Sequence, residues 1–197
     1  MQSLVIATHN HHKTGEIRAI LGDRFPDIGD LTGLPEFVPP EETGITFEAN
    51  ARIKALAASA KLPEGMLVLA DDSGLEVDSL DGAPGVYSSR YAGENADDAA
   101  NRRKLLAALD GKNGDFRVAR FRCVMALARD NMVIATFDGK VEGRIIEDER
   151  GEGGFGYDPV FVPDGYKETF AELPGETKNK LSHRARALDE VQRFLGK

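Results

Sequence analysis

Apolar residues recur in two rhythms along this chain, and the rhythm changes midway. Leu4, Val5, Ile6 and Ala7 form a short apolar run that predicts a strand; after the polar stretch THNHHK, the residues Ile17, Ile20, Leu21 and Phe25 fall at helical spacing. The opening thus reads as strand, loop and helix. The segment LTGLPEFVPPEETGIT, with three prolines and two glycines, is expected to be irregular. A helix is expected from about Thr46 through FEANARIKALAASAK. Met66 to Ala70 predicts a second buried strand that ends at Asp71 and Asp72, after which Leu75 and Val77 alternate with Glu76 and Asp78 and DGAPG makes a turn. A third helix is expected from about Asp97 to Leu109, stopped by Gly111.

From Ala119 onward the period becomes that of a strand. Ala119, Phe121, Cys123, Met125 and Leu127 alternate with their neighbours, RDN reads as a turn, and MVIATF and KVEGRII continue as antiparallel strands around a turn at Asp138-Gly139. PVFVP is one more short strand. A single final helix is expected from about Glu176 to Leu195, with Leu181, Ala185, Leu188, Val191 and Leu195 on one stripe. There is no internal repeat, low-complexity tract or long linker. The pattern is α/β, read as one domain over residues 1–197.

Composition narrows the function classes. A formal net charge of -8 makes the average surface repel phosphate polymers, which argues against a nucleic-acid-coating protein or one bound to an anionic membrane. Small phosphorylated ligands remain open through a local basic cluster. The lone Cys123 cannot form an internal disulfide, the start MQSLVIATHN lacks the character of a signal peptide, and no apolar run approaches the roughly 20 residues of a membrane helix. A cytoplasmic location is the expectation.

Four stretches carry candidate chemistry. In THNHHKTG a loop between a buried strand and a helix offers backbone amides to a phosphate, with Lys13 as a point charge; the alternative is that Thr8 or Asn10 caps the helix and Lys13 is solvated. The Walker pattern needs glycines where Ala7 and His12 stand, so a P-loop is excluded. Asp71 and Asp72 suggest magnesium, which binds one or two protein carboxylates together with substrate phosphates, or a general base of raised pKa; alternatively one faces solvent and the other caps a turn. GEGGFGYDPVF combines backbone freedom, rings and a carboxylate in a way that suits a planar heterocycle, or else is a glycine-rich hairpin with packed aromatics. In the last helix Arg184 falls inside the apolar stripe, so its guanidinium either lines a site or bridges a structural carboxylate.

The blocks ATHNHHK, EETGITFEANARIKA, ADDSGLEVDSLDGAPGVYSSRYAG, GGFGYDPVF and SHRARAL, in this order, resemble the inosine triphosphate pyrophosphatase family, and the match spans nearly the whole chain. The resemblance implies an elongated α/β fold with a long central mixed sheet, two lobes flanking an active-site cleft, and a homodimer. It also implies hydrolysis of nonstandard purine nucleoside triphosphates to monophosphate and pyrophosphate with Mg2+. Carried over by position, it makes Thr8, His9, Asn10, His11, His12 and Lys13 the triphosphate loop. Asp72 becomes the catalytic acceptor and a magnesium ligand, with Glu42 preferred over Glu41 as a second, and Ser73 a substrate contact. Phe155, Gly156, Tyr157 and Asp158 would hold the base, and Lys178, His183 and Arg184 supply the remaining nucleotide contacts. His9 departs from the family's usual glycine, and Tyr157 stands where some relatives have tryptophan. For base choice, Arg184 or an amide of the glycine loop is expected to donate to the 6-oxo group. Rival readings are a Maf-type pyrophosphatase, a nucleotide-sensing module without turnover, and a nucleic-acid-binding protein.

Overall fold

In the computed structural model, which describes residues 3–22, 24–25, 27–33 and 36–196, the apolar opening run is strand β1 (Leu4–Ile6). It is followed by helix α1 (His11–Leu21), strand β2 (Ile28–Asp30), helix α2 (Phe47–Ser59), strand β3 (Leu67–Val77) and helix α3 (Asp98–Ala108). Then come β4 (Val118–Arg129), β5 (Met132–Ile145), β6 (Phe161–Pro163), α4 (Gly175–Leu181) and α5 (His183–Leu195). The six strands form one mixed sheet in the order β2-β1-β3-β4-β5-β6. β1 runs parallel to both β2 and β3, and β5 antiparallel to β6. No helix among the described residues is long and apolar enough to cross a membrane.

Local chemistry explains where the helices start. Asn10 accepts from the amides of His12 and Lys13, Thr46 from that of Ala49 and Asp97 from that of Ala100, so α1, α2 and α3 each begin behind a side-chain oxygen. Asp130 and Asn131, both at positive φ, close the β4–β5 hairpin with a two-residue turn.

Four features differ from the sequence expectations. β3 does not end at Ala70: the extended backbone carries Asp71 and Asp72 within the strand, because each carboxylate finds a cation and neither needs solvent. β5 runs unbroken through Asp138 and Gly139, neither of which has a positive φ, so the expected turn is absent; the inward alternation of Phe137, Val141 and Ile145 continues across it. The expected last helix is two helices. Ser182 is extended (φ -66°, ψ 161°) and stands immediately before α5, in the position where a serine favours starting a helix over continuing one. The short strand β2 had no expectation at all.

The chain divides into two compact units, Met1–Asp72 with Cys123–Gly139 and Arg184–Lys197, and Ser73–Arg122 with Lys140–His183. In the first, two apolar layers form. Leu67 and Leu69 of β3 join Leu4, Ile6, Ile17, Leu21, Leu188 and Val191, while Val68 and Ala70 join Val5, Ala7, Ala51, Ala55 and Ala58. The pleat therefore sends odd β3 positions toward α1 and α5 and even ones toward α2. The second unit has its own core, which includes Leu75, Leu105, Phe121, Tyr157, Phe161 and Phe170.

Candidate active site

The first unit concentrates its charges at the point where β3 leaves it. Asp71 continues the odd series and meets Lys13 of α1 at 2.9 Å and Arg184 of α5 at 3.2 Å; Arg184 also pairs with Glu16. Burial alone would raise the Asp71 pKa, but Lys13 and Arg184 outweigh it and hold the carboxyl well below the usual range. The anomaly of an arginine in an apolar stripe is thereby resolved: Arg184 is 1% exposed and bridges two carboxylates. Its guanidinium pairs with Glu16 of α1 and Asp71 of β3.

Asp72 continues the even series. Its Oδ1 accepts from Lys54 Nζ at 2.8 Å and its Oδ2 from Asn50 Nδ2 at 3.2 Å, both donors on α2. Lys54 Nζ also reaches Glu42 Oε1 at 3.2 Å. Burial raises the Asp72 pKa, and the neighbouring Glu42 adds to that, against the opposing pull of Lys54 and Lys13; the net direction is upward. Two adjacent aspartates are thus driven apart in pKa, Asp71 down and Asp72 up. Lys54 stays firmly protonated despite burial, because Asp72, Asp71 and Glu42 surround it.

The loop before α1 is held by its own side chains. Asn10 caps the helix, and its own amide donates to Thr8 Oγ1 at 3.1 Å. His9, His11 and His12 are exposed, and His9 stacks on Phe37 with centroids 6.2 Å apart. Lys13 is not a solvated residue but the partner of Asp71.

In the second unit, Ser73 is half-buried, and the glycine-rich loop folds around Asp158. Asp158 Oδ2 accepts from the Phe155 amide at 2.9 Å and from Lys178 Nζ at 2.7 Å. Gly154 has φ +71°, and a Cβ there would lie 2.0 Å from Asp158 Oδ2, so only glycine fits. The Gly156 amide donates to Asp98 at 2.7 Å, and its carbonyl accepts from Arg102 at 2.8 Å. Tyr157 is buried, its hydroxyl donating to the Ser88 carbonyl at 2.8 Å, which leaves half-buried Phe155 as the ring of this loop nearer solvent. Lys178 Nζ sits 4.9 Å from the Phe155 centroid, and His183 stacks on Phe121 at 4.9 Å.

The chain as a whole matches known relatives. A model of the Ham1 family matches residues 4–194. The chain belongs to the Ham1 family. Among curated relatives, the dITP/XTP pyrophosphatase of Desulforamulus reducens is 50% identical over 98% of this chain and 96% of its own length. That of Bacillus subtilis is 47% identical over 99% and 98%. The solved Ham1 protein of Staphylococcus aureus superposes with a TM-score of 0.86 at 42% identity, covering 99% of this chain and 98% of its own.

Sequence reasoning missed Lys54, Asn50 and Glu16. The signal for Lys54 and Asn50 was present in FEANARIKA: both are polar residues one helical turn apart on a helix whose other buried positions are mostly alanine.

Proposed function

We propose that this chain is a magnesium-dependent dITP/XTP pyrophosphatase, hydrolysing dITP, ITP and XTP to the monophosphate and pyrophosphate. The observation that carries the reading is the convergence of Asp72 Oδ1 and Glu42 Oε1 on one point, Lys54 Nζ, in a chain about half identical to dITP/XTP pyrophosphatases over its full length.

The donor set fits magnesium. The described residues hold no cluster of three or more carboxylate, histidine or cysteine ligands that would make an all-protein cage. A hard cation bound through one or two carboxylates and completed by substrate phosphates needs no such cage, and Asp72 with Glu42 supplies that pair. When bound, magnesium would offset charge on the triphosphate.

The remaining steps belong to the chain's own groups. Asp72 is the proton acceptor for a water attacking the α-phosphorus, since Asp71 is held by Lys13 and Arg184, and pyrophosphate leaves in line without a covalent intermediate. Lys54 pairs with the Asp72 carboxylate, and Lys13 adds positive charge beside the α1 N-terminus. Asp71, itself paired with Arg184, holds Lys13 in place. The resemblance assigns the base to Phe155, Gly156, Tyr157 and Asp158, with Lys178, His183 and Arg184 as the remaining nucleotide contacts. A cytoplasmic location, from the lone cysteine and the amino-terminal sequence, and a homodimer, from the resemblance, complete the proposal.

Incubation of the purified protein with magnesium and ITP, ATP or GTP, with products resolved by ion exchange, tests it. IMP and pyrophosphate from ITP, with little ATP or GTP consumed, is the expected result; IDP and phosphate would overturn the assignment.

A further inference from the structure

Asn50 occupies the fourth position of α2, is completely buried, and is among the weaker helix formers. Its side chain works in two directions. Oδ1 accepts from the Gly44 amide at 2.8 Å, and Nδ2 donates to Asp72 Oδ2 at 3.2 Å. The orientation of the amide follows from its partners, since a backbone N–H can only donate and a carboxylate can only accept. Gly44 is part of the fit: a Cβ there would lie 2.5 Å from Asn50 Oδ1 and 2.7 Å from the Ala49 Cβ. The backbone two residues beyond Glu42 is thus drawn against α2 as closely as glycine permits.

We propose that Asn50 is a positioning residue that ties the Glu42 segment to Asp72, setting the separation and orientation of the two carboxylates for the reaction. The inference rests on the function proposed above. Both Asp72 oxygens are then engaged, Oδ1 by Lys54 and Oδ2 by Asn50, so the carboxyl plane has one orientation. Lys54 alone would not achieve this, because an ammonium at the end of a flexible stem has no preferred direction. Neither aspartate nor leucine, both of similar size, would serve. Aspartate would face Asp72 with like charge, and leucine would leave the Gly44 amide and Asp72 Oδ2 without their buried partners.

The test compares Asn50→Ala, Asn50→Asp and Gly44→Ala with the unaltered full-length protein. Three readouts are needed: circular dichroism for fold, Mn2+ binding without nucleotide by electron paramagnetic resonance, and kcat and KM for ITP. Loss of an outer-shell partner is expected to weaken Mn2+ binding in Asn50→Ala by about 10-fold and to lower kcat by about 10- to 100-fold, with KM for ITP changed by less than about threefold. Asn50→Asp, nearly the same shape, is expected to lose kcat at least as severely. A folded Asn50→Ala with Mn2+ binding and kcat both within about twofold of the unaltered protein overturns the proposal, because a purely structural amide would leave those readouts untouched. If Asn50→Ala does not fold, Gly44→Ala decides by the same criteria from the other end of the contact. Failure of the unaltered protein to convert ITP to IMP would reject the function, while the Mn2+ measurement would still judge Asn50.

Discussion

Asp71 and Asp72 are neighbours in sequence and face opposite sides of one strand. Asp71 meets Lys13 and Arg184 from α1 and α5, whereas Asp72 meets Asn50 and Lys54 from α2. Each has its own counter-charge, and the resulting environments push their pKa values in opposite directions. That division assigns a structural anchor and a chemically poised group to two residues of the same type.

Asp72→Asn is expected to lower ITP turnover by about 100-fold or more, the scale of a lost general base. The unaltered enzyme should show an acid limb of kcat against pH that Asp72→Asn abolishes, measured with both proteins in saturating magnesium. An acid limb that persists unchanged in Asp72→Asn would contradict the role.

Lys54→Met removes the cation that opposes the burial of Asp72. The Asp72 pKa then rises further, so the acid limb of the same profile is expected to move to higher pH as activity falls. A profile that loses amplitude without shifting would mean that Lys54 does not tune Asp72.

Arg184→Met leaves Asp71 and Glu16 without their shared guanidinium. Breaking a buried pair from one side typically costs about 3–5 kcal/mol, measurable as a lower midpoint in urea. The Asp71 contribution itself depends on pH. Its folded pKa is depressed, so the stabilisation is fully present above the unfolded value of about 3.9 and is lost as pH falls below it. Asp71→Asn should flatten that part of the stability curve while lowering stability at neutral pH.

Gly154→Ala places a methyl group where Asp158 Oδ2 now lies and asks an L-residue to hold φ +71°. The loop must shift, and a destabilisation of about 1–3 kcal/mol by thermal unfolding is expected, together with a raised KM for ITP. An unchanged KM would remove this loop from base binding.

Much of the architecture was legible locally. Thr46 and Asp97 announced α2 and α3 because a cap needs only its own next few residues, and the hydrophobic alternation of β4 depends on nothing beyond the strand. Arg184 could be singled out as an arginine in need of a partner, because helical periodicity places it in the stripe from sequence alone. Its partners could not be named, since Asp71 is 113 residues away in the chain. The same limit hid Lys54, Asn50 and Glu16, whose importance lies in what they touch.

The sequence by itself determined the α/β class, most element positions, the family and the blocks that hold the candidate chemistry, because these follow from short-range periodicity, capping and residue order. Only the tertiary structure decided that β3 runs through both aspartates, that β5 crosses Asp138 and Gly139 without turning, and that Ser182 separates α4 from α5. It also decided which cation answers which carboxylate. Those outcomes depend on pairing with distant strands and on charges brought together by packing, and such contacts outweigh the local turn and helix signals that the chain carries.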